Sequence, residues 1–194
     1  TFLILLTSSL AGYVFAKFNF KYKEFFFTLL LSTMMIPFVV IMIPLYILAS
    51  DFNWINRFSG LIIPMGLSAF GIFLMRQFIE NIPSALLEAA RIDGASEWWI
   101  YIKVIVPLSL PALSALSIFS FMWSWNNLLW PLLIVNSKDM QTITLAIASL
   151  QWQNSIRYDV VITGAAVSVI PVLIVYAFTN RTFIRGLTLT GLKY

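Results

Sequence analysis

The uneven placement of charged residues constrains this chain more than any other feature of its sequence. Charged residues make up 10% of its 194 residues, against about 25% in a typical soluble domain. The charge-free stretches are Thr1–Ala16, Phe25–Ser50, Phe58–Met75, Val104–Ser137 and Val160–Asn180. A helix needs about 20 apolar residues to cross a hydrocarbon layer of ~30 Å. The sequence therefore predicts an all-α, polytopic transmembrane helix bundle with about five spans, forming a single domain over residues 1–194.

The first apolar stretch is short and begins at Thr1, without a methionine. A secretory signal peptide carries its positive charges before the apolar segment, whereas here the lysines follow it. We interpret this stretch as the tail of a truncated helix, and we expect a further helix upstream of the visible chain.

The basic residues indicate the orientation of the chain in the membrane. The segments Lys17–Glu24 and Arg76–Lys103 and the C-terminal tail together hold nine lysines and arginines, whereas the alternate loops hold three. Cytoplasmic loops carry the excess of positive charge in membrane proteins. We therefore expect Arg76–Lys103 and the C-terminus to lie in the cytoplasm.

The residue types that are missing exclude several functional classes. There is no cysteine and no histidine, which removes disulfides, zinc sites, thiol nucleophiles and histidine acid–base chemistry. All acidic residues lie in the predicted loops, so ion coupling through intramembrane carboxylates is disfavoured. The chain has no phosphate-binding G-x-x-x-x-G-K-[ST] sequence and no basic stripe for nucleic acid. We predict a non-catalytic membrane subunit without a cofactor or metal, although a passive channel or sodium coupling through backbone carbonyls remains open.

The predicted cytoplasmic segment at about 80–107 has the pattern of two helices joined at a glycine. Pro83 suits the first turn of a helix, where its missing N–H costs nothing, and Ser84–Asp93 consists of good helix formers. Gly94 suits the left-handed position that ends a helix. Ser96 can cap a second helix, whose first turn holds Glu97. We name this segment the elbow.

The elbow could meet either a protein or a membrane surface. Apolar, small and acidic side chains share one face of its first helix at three- and four-residue spacings: Leu86, Ala89, Ala90 and Asp93. Small side chains there would allow another protein to approach closely, with Glu88 and Arg91 supplying charge for orientation. Alternatively the elbow rests on lipid headgroups, a position that Trp98 and Trp99 would suit. The spacing alone does not decide between these two interpretations.

The order of residues in the elbow resembles a known motif. The order is Glu88-Ala89-Ala90, three further residues, Gly94, and then an aliphatic stretch that ends at Pro107. This order resembles the "EAA" loop of binding-protein-dependent ABC permeases. That pattern closes with Ile-x-Leu-Pro, whereas this chain has Val104-Ile105-Val106-Pro107, a conservative departure. The resemblance implies that Glu88, Ala89, Ala90 and Gly94 belong to a coupling helix that docks on a separate ATPase, where ATP and Mg²⁺ bind. Arg91 and Asp93 lie in the same predicted coupling element.

Other segments resemble the second permease subunit of carbohydrate importers of the maltose type. They are FMWSWNNLLWP at 121–131, QTITLAIASLQ at 141–151 and RTFIRGLTLTGLKY at 181–194. The likeness extends from about Tyr13 to the end, and the six helices usual in such subunits agree with a missing upstream helix. It implies a homologous second permease subunit, two ATPases, an extracytoplasmic solute-binding protein, and a sugar or oligosaccharide as solute. A non-sugar solute such as an amino acid or peptide, and a passive channel or scaffold, are the alternatives.

A polar cluster in the fourth stretch is the candidate solute pathway. Its residues are Ser124, Trp125, Asn126 and Asn127. An indole ring beside amide donors and acceptors suits the mixed surface of a sugar. Ser117 and Ser120 lie on the same helical face as Ser124 and Asn127, within an arc of ~80°. The alternatives are bonds between helices or from serine to its own backbone, and tryptophan as an interfacial anchor.

Overall fold

The computed structural model describes residues 1–151 and 158–190, with side chains described for 1–150 and 158–178. These residues form helices and short 3₁₀ and π turns, and no strand occurs among them. This confirms the predicted all-α class. The α-helices are α1 Phe2–Lys17, α2 Lys23–Ser32, α3 Phe38–Asp51, α4 Phe58–Ile62, α5 Ala69–Glu80, α6 Ser84–Ile92, α7 Glu97–Ile100, α8 Val106–Leu108, α9 Leu110–Trp125, α10 Leu129–Ile134, α11 Ile143–Gln151 and α12 Tyr158–Thr190.

Among the described residues, one helical segment is long and apolar enough to cross a membrane by itself, Tyr158–Phe178 within α12. Two further candidates are bent pairs. Lys23–Met35 and Phe38–Asp51 meet at 102°, and Glu97–Leu108 and Leu110–Trp125 meet at 77°. If each bent pair is one span, the count by length and composition reaches three. Helix α1 is apolar but shorter.

The structure interrupts the predicted spans more often than the sequence interpretation expected. The stretch Phe58–Met75 is not one helix, because α4 ends at Ile62 and α5 begins at Ala69. The Ser68 hydroxyl caps α5 by accepting a hydrogen bond of 3.0 Å from the Gly71 N–H. A charge-free run reports apolarity, whereas helix continuity also depends on caps and prolines. Pro37 precedes α3 at the first bend, while Pro44 and Pro171 are accommodated inside helices.

Contacts group the chain into two compact units. Unit 1 comprises the described residues of the ranges 1–36, 66–119 and 179–194. Within it α1 and α5 are in close contact, because a Cβ atom on Gly12 would lie 2.6 Å from the Met75 Cβ. Buried apolar side chains from α5, the elbow and α9 complete its core: Met75, Ile79, Leu87, Ile100, Ile105 and Leu116.

Unit 1 also contains a buried arginine on α5. The Arg76 Nη2 donates to the Glu24 Oε1 over 2.8 Å, and the guanidinium carbon lies 3.9 Å from the centre of the Phe27 ring. The carboxylate and the ring both belong to α2. Arg76 therefore attaches α2 to α5 through an ion pair and a cation–π contact.

Unit 2 comprises the described residues of the ranges 37–65 and 120–178. Its core surrounds Trp130, which is 1% exposed and donates from Nε1 to the Gly60 carbonyl over 2.9 Å. Asn56 has a left-handed φ of 55°. Its N–H donates to the Ile134 carbonyl, and its Oδ1 accepts from the backbone N–H and the hydroxyl of Ser137. These bonds attach the α3–α4 connection to the end of α10.

Candidate functional site

The elbow folds as its sequence predicts. Helix α6 ends in a Schellman motif, in which the Ala95 N–H donates to the Ala90 carbonyl over 2.9 Å and the Gly94 N–H donates to the Arg91 carbonyl over 3.0 Å. Gly94 has φ +80°, a left-handed conformation that glycine adopts without steric cost. The predicted glycine position at the end of the first elbow helix is confirmed.

The second elbow helix begins at the predicted cap. The Ser96 Oγ accepts a hydrogen bond of 3.3 Å from the Trp99 N–H, which satisfies one of the free donors of the first turn. A π-helical segment at Tyr101–Ile105 then connects α7 to α8. Leu87 and Ile100 are at most 1% exposed and fix both elbow helices on the core of unit 1.

The structure places the predicted docking residues on the outer surface of the elbow. Ala90 is half-buried. The other five are exposed: Glu88, Ala89, Arg91, Asp93 and Gly94. The turn opens onto a shallow cavity of about 590 Å³ lined by Ala90, Asp93, Gly94, Ala95, Ser96 and Trp99. A Cβ atom on Gly94 would find nothing within 4 Å. The described part of the chain therefore leaves the space beside the turn open.

A partly exposed ion pair joins the two elbow helices. Arg91 donates from Nε to the Glu97 Oε1 over 2.7 Å, and the Tyr13 hydroxyl donates to the Glu97 Oε2 over 2.7 Å. The hydrogen bond to this carboxylate raises the pKa of Arg91 above its ordinary value. The sequence interpretation gave Arg91 an outward role and missed both Tyr13 and this use of Glu97. A spacing of six residues across a glycine turn is not a helical one, so no periodic signal could reveal the pair.

Two residues of the candidate solute pathway line a cavity within unit 2. Its volume is about 380 Å³, and its lining includes Trp125 and Asn126 together with Thr144 and Ser168. Trp125 donates from Nε1 to the Ser168 carbonyl over 3.1 Å, and its own carbonyl accepts from the Thr144 hydroxyl over 2.7 Å. Hydrogen bonds to α11 and α12 therefore fix Trp125 at the cavity wall.

The other members of the predicted cluster do not line this cavity. Ser124 is exposed, and the Asn127 Oδ1 accepts a hydrogen bond of 3.2 Å from the Trp130 N–H. Asn126 donates to the Met122 carbonyl of its own helix over 2.9 Å. Ser117 bonds back to the Ser114 carbonyl, as the backbone alternative predicted. The structure thus brings two of the four candidates together, and their role in solute passage stays a prediction.

No group of three or more histidine, cysteine, aspartate or glutamate side chains that could hold a metal occurs in the described ranges. Some sequence-based predictions concern residues beyond those ranges. Arg157, counted for the orientation, and residues 191–194 of the similar tail, including Lys193, lie outside the described residues.

Comparison with known proteins connects these features to one family. The profile of the family described as "Binding-protein-dependent transport system inner membrane component" matches residues 7–188. The arabinooligosaccharides transport system permease protein AraQ of Halalkalibacterium halodurans is 39% identical over 98% of this chain and 68% of its own length. The lactose transport system permease protein LacG of Rhizobium radiobacter is 40% identical over 96% of this chain and 68% of its own length.

The fold comparison agrees with the sequence comparison. The crystal structure of a bacterial ABC transporter involved in the import of the acidic polysaccharide alginate superposes with a TM-score of 0.81 at 25% identity. The match covers 94% of this chain and 70% of that chain. The resemblance inferred from the elbow motif is confirmed, and this chain belongs to the family of binding-protein-dependent transport system inner membrane components.

Proposed function

We propose that this chain is a permease subunit of an ATP-driven importer that moves a sugar or oligosaccharide across the bacterial plasma membrane. The observation that carries the proposal is the elbow, with its exposed Glu88, Ala89 and Gly94 and an open left-handed turn. The chain supplies no ATPase. ATP and Mg²⁺ bind to a separate ATPase subunit that contacts the elbow.

The surface chemistry of the elbow favours a protein partner over lipid headgroups. Leu86 and Ile92 are 47% and 86% exposed, and they offer apolar contact area on α6. Exposed Glu88 and Asp93 add acidic charge on the same helix and at its end. Anionic headgroups would repel these carboxylates, whereas a protein cleft can pair them with donors.

The arrangement of the complex follows from the family and from the distribution of charge. A homologous permease subunit completes the membrane bundle, two ATPases dock from the cytoplasm, and an extracytoplasmic binding protein delivers the solute. The elbow and the C-terminus lie in the cytoplasm, in accordance with the excess of basic residues there. Closure of the ATPases on ATP displaces the elbow, and the bundle alternates its opening.

A carbohydrate solute has two lines of support. The relatives above are named for arabinooligosaccharides and lactose, and the solved neighbour for alginate import. In addition, Trp125, Asn126 and Thr144 line the unit 2 cavity. An aromatic face with adjacent polar groups is suited to the apolar ring faces and the hydroxyl groups of a sugar.

Uptake by the assembled complex tests this function. The complex would be purified with its partners, reconstituted in proteoliposomes with the binding protein, and offered arabinotriose, lactose, an alginate oligosaccharide, an amino acid and a dipeptide. We expect a carbohydrate to be accumulated only with ATP and Mg²⁺. Accumulation of the amino acid or the dipeptide alone would contradict the solute class. Equilibration without ATP would indicate a channel and contradict an importer.

A further inference from the structure

Three polar side chains occupy one face of the apolar helix α1 at intervals of four residues: Ser9, Tyr13 and Lys17. Residues four apart on a helix lie above one another on the same face. We name this set the α1 stripe. Polar groups on a buried apolar surface are destabilising unless each has a partner, so the partners are informative.

Every member of the α1 stripe contacts the segment that contains the elbow. Lys17 donates from Nζ to the Glu80 carbonyl over 3.2 Å and to the Ile82 carbonyl over 2.5 Å, just before α6. Ser9 Oγ lies 2.6 Å from the Tyr101 hydroxyl, just after α7. Tyr13 donates to Glu97 between these two contacts. The stripe therefore holds the elbow at its beginning and along its second helix.

The middle contact is the one that joins both elbow helices. Glu97 begins α7 and accepts from Arg91 of α6 across the glycine turn, while its second oxygen accepts from Tyr13. Tyr13 is 4% exposed, and its ring centre lies 5.9 Å from that of Tyr101. Its hydroxyl thus reaches a partly exposed ion pair from a buried position. A displacement of the elbow relative to α1 would have to break this bond.

The contact between Ser9 and Tyr101 lies at the point where the helix geometry changes. Tyr101 is the first residue of the π-helical segment, and its side chain is 6% exposed. A π turn is wider than an α turn and redirects the residues that follow it, which often marks a functional position. The contact between Ser9 and Tyr101 therefore fixes α1 to the start of this irregular segment.

We propose that the α1 stripe makes α1 and the elbow move as one body, with Tyr13 as the positioning residue that acts through Glu97. The displacement imposed on the elbow is thereby carried into α1 within unit 1. This inference rests on the proposed function, because it requires that an ATPase displaces the elbow. Tyr13 does not line the unit 2 cavity, and it contacts the docking residue Arg91 only on the side where Arg91 pairs with Glu97.

Tyr13→Phe isolates the hydroxyl from the rest of the side chain. The ring contacts with Tyr101 and Phe18 remain possible, and the exposed docking residues are unchanged. We expect ATP hydrolysis by the assembled complex to continue while uptake per ATP hydrolysed falls by about fivefold, as in the weaker range of allosteric couplings. Tyr46→Phe is the matched control, since it removes a hydroxyl from a tyrosine that packs against the Trp130 cluster of unit 2.

The cysteine-free sequence permits a direct measurement of the common motion. Spin labels at Leu6→Cys on α1 and Ser84→Cys on α6 report the distance between the two helices in the assembled complex. We expect one narrow distance distribution that is the same with and without ATP and Mg²⁺. In the Tyr13→Phe background the distribution should broaden when ATP is added, and in the Tyr46→Phe background it should not.

The outcomes separate this inference from the function on which it rests. Wild-type complex that hydrolyses no ATP, or accumulates none of the panel solutes, refutes the proposed function before any variant is compared. If the wild type is active but the label distance shifts with ATP, the elbow moves independently of α1 and the inference fails. It also fails if Tyr13→Phe lowers uptake and ATP hydrolysis equally, since that result indicates a purely structural hydroxyl.

Discussion

The elbow in unit 1 and the cavity in unit 2 both gather polar residues, but they use them in opposite ways. In the elbow, Glu88 and Asp93 are exposed, and the turn at Gly94 opens to free space. At the cavity, Trp125 and Asn126 use their side-chain donors on backbone carbonyls within unit 2. The elbow therefore keeps its acidic groups exposed, as the proposed docking on an ATPase requires, whereas hydrogen bonds hold the cavity wall in place. Because these side-chain donors are already used, such a wall offers a solute chiefly aromatic ring faces and hydrogen-bond acceptors.

We expect the largest effect of a substitution on uptake at the elbow turn. Gly94→Asp adds a carboxylate beside Asp93 at a φ of +80°, which aspartate tolerates better than most residues. We expect ATP-dependent uptake to fall by about a hundredfold, near the upper range of coupling between sites. Quantitative uptake in proteoliposomes and co-purification of the ATPase measure the loss.

Gly94→Asn is the control for that variant, because asparagine has the same size and the same tolerance for left-handed backbone but no charge. We expect Asn to cause a smaller loss than Asp, with equal amounts of either variant in the membrane. Normal uptake by Gly94→Asp at normal expression would remove the elbow from the coupling pathway.

A smaller effect is expected at the cavity. Trp125→Ala removes the ring face and the bond to Ser168, so KM for the transported sugar should rise by about tenfold, which corresponds to 1.4 kcal/mol. Trp125→Phe keeps an aromatic face and should retain most of the affinity. Initial uptake rates over a range of sugar concentrations give both values.

Trp123→Ala tests the alternative in which tryptophan is only an interfacial anchor. Trp123 is 49% exposed and does not line the cavity. If Trp123→Ala raised KM as much as Trp125→Ala, the aromatic residues would act by anchoring the helix, and the cavity would lose its role.

The cap of α7 should have a still smaller and local effect. Ser96→Ala removes the acceptor of the Trp99 N–H, and a lost N-cap costs roughly 1 kcal/mol. Hydrogen exchange at the Trp99 amide should therefore become faster by about fivefold. Ser84→Ala is the matched control, because no side-chain hydrogen bond caps α6. Equal acceleration in both variants would show that the elbow opens as a whole.

The two regions also differ in how far the sequence could predict them. The elbow depends on local rules, and the positions of Gly94 and Ser96 follow from residue type within a few residues of chain. The bonds from Tyr13 to Glu97 and from Trp125 to Ser168 join residues 84 and 43 positions apart. Only the folded chain brings such residues together, so no pattern along the sequence predicts these partners.

The prediction of one continuous helix per apolar stretch was wrong for a related reason. The run Phe58–Met75 is uniformly free of charge, yet it divides between α4 and α5, where Ser68 offers a cap. Hydropathy predicted which segments are apolar and could not predict how they bend, since bends depend on prolines, caps and neighbouring helices. The bends of 102° and 77° follow Met35 and Leu108. Pro37 lies at the first of them.

The smallest effect on transport is expected from Asn127, despite its place in the predicted polar cluster. Its Oδ1 accepts from the Trp130 N–H at the start of α10, outside the cavity lining. Asn127→Ala should lower stability by about 1 kcal/mol, a typical net value for one hydrogen bond, and leave the KM for sugar unchanged. Thermal unfolding of the purified complex and uptake kinetics separate these two readouts.

Asn126→Ala is the comparison at the adjacent position, because Asn126 lines the cavity and should change KM. If Asn127→Ala raised KM and Asn126→Ala did not, the solute would pass along the face shared by Ser124 and Asn127, and the cavity beside Trp125 would be a packing feature of unit 2.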